Sequence, residues 1–132
     1  MTPTPAPKLL LIDDEPALAA FLADAAKMSG FQPVVAKDDN DFKSLLVAEQ
    51  PQMVAIDLGM PGMDGVELLR FLAAEKYAAP VLIISGFDRR ILDSAFRLGE
   101  ALGLTMVGPL EKPTRLADIE RILTTLRPQL VS

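Results

Sequence analysis

Three stretches of the chain are apolar at every position, and each ends abruptly on a polar side chain. Residues 9–12 (Leu-Leu-Leu-Ile) stop at Asp13, residues 53–56 stop at Asp57, and residues 81–84 (Val-Leu-Ile-Ile) stop at Ser85. Runs of this length without polar alternation predict strands buried on both faces. Two weaker runs, 32–36 with Pro33 and 104 to about 108 leading through Pro109, predict two further strands. Between the runs the apolar spacing changes to that of helices. Pro16 opens the first helix, whose stripe is Leu18, Phe21, Leu22, Ala25 and Met28, and Ser29 and Gly30 stop it. The second helix spans 38–48 with Phe42, Leu45 and Leu46 on one face. Asp64 with Glu67 forms a capping-box pattern that starts a third helix running to about Lys76. Asp88 caps a fourth helix carrying Ile91, Leu92, Ala95, Phe96 and Leu98. Thr114 caps a fifth, with Leu116, Ile119, Leu123 and Leu126 inward and Pro128 beyond its end.

Five strands alternating with five helices predict an α/β fold, a doubly wound parallel sheet with helices on both faces. Proline cannot donate to a sheet ladder, so the strands that carry or adjoin Pro33 and Pro109 belong at the edges. The order 2-1-3-4-5 satisfies this. Its switch point falls between strands one and three, which places the ligand crevice beside Asp13, Asp14 and Asp57.

Composition narrows the chemistry. With 132 residues the chain suits one domain, expected over 8–127, with a proline-rich arm at 1–7 and a short tail at 128–132. Only 5% of residues are aromatic, so the core is expected to be aliphatic. A net charge of −5 disfavours direct nucleic-acid binding, which rests on clustered cations. Cysteine and histidine are both absent, which excludes thiolate and imidazole metal sites and the corresponding nucleophiles. Any metal must be oxygen-ligated. No stretch approaches the ~20 apolar residues of a membrane span, so a cytoplasmic location without membrane insertion is expected.

The carboxyl ends of adjacent strands therefore gather Asp13 and Asp14, Asp57, Ser85 and, shortly after strand five, Lys112. Taken singly, the acids read equally well as helix caps or turn residues, Ser85 as a turn hydroxyl and Lys112 as a solvated charge. Their convergence on one crevice argues against five coincidences. The motifs Asp13-Asp14-Glu15, Asp57-Leu58-Gly59-Met60-Pro61-Gly62-Met63-Asp64-Gly65, Ser85-Gly86 and Lys112-Pro113 together resemble those of a two-component response-regulator receiver domain. The likeness is to the single-domain, chemotaxis-regulator type and spans 8–127. It implies a flavodoxin-like three-layer sandwich with Asp57 as phosphoacceptor. It also implies Mg²⁺ held by Asp13, Asp14, Asp57 and the Gly59 carbonyl, Ser85 on a phosphoryl oxygen, and Lys112 paired with the phosphoryl group.

The implied partners are a histidine kinase or phosphotransfer protein and a downstream protein effector, with a homodimer through the fourth and fifth helices as a further expectation. On this reading the chain is not an enzyme but a phosphoacceptor that assists its own phosphorylation and dephosphorylation. The physics is consistent: clustered carboxylates repel unless a cation sits among them, and phosphoryl transfer to a carboxylate needs positive charge to offset the incoming oxygens.

One departure stands out. Receivers usually carry Tyr or Phe three residues before the lysine, and here that position is Pro109. The expected readout is therefore movement of the segment 85–88 and the start of the fourth helix, with Phe87 as reporter and strand five nearly static. The Lys112-Pro113 bond is expected to be cis by the same resemblance. Three alternatives stand beside this reading. A haloacid-dehalogenase-like phosphatase would need a second Asp where Gly59 stands. The others are an interaction module keeping only the fold, and a receiver fragment of a larger regulator.

Overall fold

The computed structural model describes residues 6–13, 15–58, 65–85, 89–111 and 116–130. Strands β1 (Lys8–Ile12), β2 (Gln32–Ala36), β3 (Met53–Asp57), β4 (Pro80–Ser85) and β5 (Thr105–Glu111) alternate with helices α1 (Pro16–Met28), α2 (Asp39–Glu49), α3 (Gly65–Ala74), α4 (Arg89–Ala101) and α5 (Leu116–Leu130). The strands form one parallel sheet in the order β2-β1-β3-β4-β5. The apolar runs are the three inner strands, and the runs with Pro33 and Pro109 in their interior are the edges, whereas Pro80 of inner β4 stands at its first position, where a missing amide donor is tolerated.

Strand alternation sends successive side chains to opposite faces, and two separate cores result. Leu10, Ile12, Val54, Ile56, Val81 and Ile83 pack under α2, α3 and α4 with Phe42, Leu69, Leu72 and Leu92. Leu9, Leu11, Met53, Ala55, Leu82 and Ile84 pack under α1 and α5 with Leu22, Ala25, Ile119 and Leu123. Among the described residues the buried aromatics of the two cores are Phe42 and Phe31, with Phe21, Phe71, Tyr77 and Phe96 packed at their margins.

The helix ends follow local chemistry. The Asp38 carboxylate accepts from the Asp41 amide at 2.7 Å and caps α2, while Asp41 reaches back to accept from the Lys37 amide at 3.0 Å. At the close of α4, the Gly103 amide donates to Glu100 O and the Leu104 amide to Gly99 O, both at 3.0 Å, with Gly103 at φ +88. This is a Schellman motif, and α3 ends the same way through Lys76 and Tyr77. Helix α3 therefore stops at Ala74, two residues before the expected end, because Lys76 turns into the left-handed region at φ 57.

Several expectations need correcting. Met28 and Ile91 are exposed rather than part of the buried stripes, since Ala26 and Leu92 occupy the inward positions beside them. Strand β5 does not end near Gly108 but continues to Glu111. Three steps of β5, from Val107 to Leu110, span the two steps of β4 from Leu82 to Ile84, so one extra residue is absorbed in a bulge. Gly108, at φ +88, and Pro109 occupy it, joined by a cis peptide bond. Pro128 lies within α5 rather than beyond it. It sits in the last turn, where its missing amide frees only the Thr124 carbonyl. The proposed caps Asp64, Asp88 and Thr114, and the Leu116 side chain, lie outside what is described.

Candidate functional site

Asp13, Asp57 and Ser85 follow or end β1, β3 and β4, three neighbours in the sheet. The pairing Ile12↔Ile56 places Asp13 and Asp57 one step further along adjacent strands. Parallel strands lie about 4.8 Å apart, so the two backbones that carry these carboxylates are about that close. Asp57 itself pairs with Ile84, and Ser85 is the next residue of β4. The Leu58 amide donates to the Ile84 carbonyl at 2.9 Å, which extends the β3–β4 ladder past Asp57 and fixes the loop exit beside Ser85.

Burial sets these three apart. Asp13, Asp57 and Ser85 are 6%, 3% and 2% exposed, and they are the buried polar residues among those described. A carboxylate removed from water is costly unless hydrogen bonds or a cation compensate it, so two such groups on adjacent strands are a candidate functional cluster rather than a solvated surface. The alternative role of Asp13 as a cap for α1 fails in its details. Its Oδ1 accepts from the Glu15 amide at 3.0 Å, and Glu15 is the residue at the cap position, whose own side chain makes no capping bond. The Asp13 carboxylate thus belongs to the strand-end crevice.

Of the residues expected at the site, the structure brings together Asp13, Asp57 and Ser85. Asp14, Gly59 and Lys112 lie outside the described residues, as do Phe87 and the Lys112-Pro113 bond. Lys112 directly follows Glu111, the last residue of β5, and Ser85 pairs with Glu111. Two features escaped the sequence reading. A cavity of about 440 Å³ opens between the first turn of α3 and α4, lined by Leu58, Val66, Ile91, Ala95 and Leu98 with Arg90 and Ser94. It is an apolar space next to the polar crevice, which it meets at Leu58, rather than the crevice itself. The second feature is an ion pair from the start of α4 to the end of β5, Arg89 Nη1 to Glu111 Oε2 at 3.3 Å. Partners 22 residues apart leave no local signal.

Comparison with known proteins agrees with this geometry. The family model described as the response regulator receiver domain matches residues 9–124. A response regulator from Colwellia psychrerythraea is 27% identical, with a TM-score of 0.82 over 94% of this chain and 98% of that one. The Francisella response regulator 1452 receiver domain is 25% identical, with a TM-score of 0.79 over 93% of this chain and 98% of that one. The beryllofluoride-activated NtrC4 receiver domain dimer shares the fold at 19% identity, with a TM-score of 0.76 over 93% of this chain and 98% of that one.

Proposed function

The chain belongs to the receiver domains of two-component response regulators, and from that membership we propose that Asp57 accepts a phosphoryl group from a histidine kinase or phosphotransfer protein. The observation that carries the proposal is the buried trio of Asp13, Asp57 and Ser85 at the ends of three adjacent strands. A buried carboxylate at a strand end is held by the sheet and shielded from water, so its oxygen is positioned for attack without reorganisation. On attack an Asp57 oxygen bonds to phosphorus as the bond from phosphorus to the donor breaks, leaving an acyl phosphate. On this reading Ser85, one residue past the partner of Asp57, donates its hydroxyl to a phosphoryl oxygen. Lys112, following Glu111, supplies the cation expected for the same group.

The donor set suits a hard cation. Asp13 and Asp57 offer buried carboxylate oxygens, and the chain has neither histidine nor cysteine. Asp13, Asp14, Asp57 and the Gly59 carbonyl would hold Mg²⁺, which when bound supplies positive charge against the phosphate oxygens. Asp13 and Asp14 otherwise serve to orient that charge and to keep the crevice polar.

Phosphorylation adds about −1.5 to −2 of charge and three acceptor oxygens, enough to bias the chain on either side of Ser85 and so switch binding of a protein effector. The chain on this reading is no catalyst for another substrate, and its turnover is confined to its own acyl phosphate. No described helix is long and apolar enough to cross a membrane. A cytoplasmic setting follows from the proposed kinase partner, and α4 and α5 are the proposed faces for a homodimer. The test is intact-mass measurement after incubation with acetyl phosphate. One phosphoryl group on the wild-type protein, absent from Asp57→Asn and abolished by a chelator, is expected. Label retained on Asp57→Asn would refute the assignment.

A further inference from the structure

The bulge in β5 decides which side chain faces α4. Up to Leu82↔Val107 the strands run in simple register, and without the extra residue Ser85 would pair with Leu110. With it, Leu110 pairs with Ile84 and joins the core under α1 and α5, while Glu111 pairs with Ser85 and turns to the α4 side. There it meets Arg89, the first residue of α4. Arg89 has a second carboxylate in reach on its own helix, Asp93, with Nε to Oδ2 at 3.8 Å. One guanidinium thus stands between an acid on the strand and an acid on the helix.

We infer that Arg89 is a two-position latch: paired with Glu111 it holds the start of α4 against the end of β5, and it is released toward Asp93 when Asp57 is phosphorylated. The inference rests on the phosphoacceptor reading above. The chain positions of the partners give the coupling. Arg89 lies four residues after Ser85, and Glu111 immediately precedes Lys112. A phosphoryl group that draws the Ser85 hydroxyl toward Asp57 pulls on the chain leading into Arg89, and Arg89 follows by leaving Glu111. Asp93, already 3.8 Å from it, keeps the guanidinium paired on its own helix. The side chains are well exposed, Arg89 at 67% and Glu111 at 47%, so the latch is weak by design of its setting. An exposed pair shifts a two-state balance by roughly two- to fivefold, which suits a bias rather than a lock.

The test uses Arg89→Gln, Glu111→Gln, their double variant and Asp93→Asn in the intact chain. The first four amides of a helix have no intrahelical acceptor, so the reporters are the hydrogen-bonded amides of residues 93–96. In the unphosphorylated protein each of the first two variants is expected to speed exchange there roughly two- to fivefold, the double variant no more than either alone. The initial rate of labelling by acetyl phosphate should rise by the same factor. Asp93→Asn, which removes the release position, should slow labelling instead. Arg89→Lys should recover most of the wild-type exchange. Unchanged exchange in the single variants, or effects that multiply in the double, would overturn the latch. Faster exchange with unaltered labelling rates would overturn it too, since the pair would then be merely structural. A wild-type protein that takes no label refutes the phosphoacceptor reading instead, and exchange alone then decides whether the pair clamps the helix.

Discussion

Gly103 and Gly108 share a φ of +88 but differ in what surrounds them, which allows the backbone cost of a side chain to be separated from its steric cost. A Cβ on Gly103 would meet nothing within 4 Å. On Gly108 it would meet Leu82 Cδ1 at 2.7 Å and the Leu110 amide nitrogen at 3.3 Å. Leu82 is 2% exposed and packed in the core under α1 and α5, and Leu110 N is backbone held in the β4–β5 ladder. Gly103→Ala should therefore cost only the left-handed conformation, about 1–2 kcal/mol. Gly108→Ala should add about 1–3 kcal/mol of overpacking. With a urea slope of about 1.5 kcal/mol/M, the midpoint should fall by about 1 M for the first variant and about 2 M for the second. Urea denaturation followed by far-UV circular dichroism measures both. Equal midpoints, or a larger loss for Gly103→Ala, would refute the bulge packing described for β5. Because the bulge turns Glu111 toward α4, Gly108→Ala should also raise exchange at residues 93–96 more than Gly103→Ala does.

The single tyrosine gives a pH signal. The Tyr77 hydroxyl donates to the Pro51 carbonyl at 2.8 Å, and burial holds its ionisation above the ordinary tyrosine range. Since the unfolded chain ionises first, stability should be complete below about pH 10 and fall as pH rises further. Phenolate absorbance should appear at higher pH in buffer than in urea, and Tyr77→Phe should flatten the difference; titration at the ordinary value in the native protein would contradict this. Phe42→Ala removes the largest fully buried side chain among the described residues and should cost about 3–5 kcal/mol in urea unfolding. Asp38→Ala frees the Asp41 amide and should cost about 1 kcal/mol, with exchange rising at the start of α2.

What could be read from the sequence was what local chemistry dictates. A strand buried on both faces must be apolar throughout, so residues 9–12, 53–56 and 81–84 declared β1, β3 and β4 without reference to their neighbours. A proline inside a strand removes a ladder donor, so Pro33 and Pro109 marked the edges, while Pro80 at the first residue of β4 did not, and the edges with the crossover rule ordered the sheet. Asp13, Asp57 and Ser85 were legible as a candidate site because a polar group ending an apolar strand lies at the sheet's carboxyl edge whatever the rest of the chain does. The tertiary structure decided the rest. Met28 and Ile91 keep the helical period of their neighbours, yet they are exposed, because the depth to which a turn sinks depends on the surface beneath it. The continuation of β5 to Glu111 depended on β4, since a bulge exists only relative to a paired strand. The same is true of the Arg89–Glu111 pair: neither residue carries a local mark, and only the register of β5 against β4, with the packing of α4 on the sheet, turns their side chains toward each other.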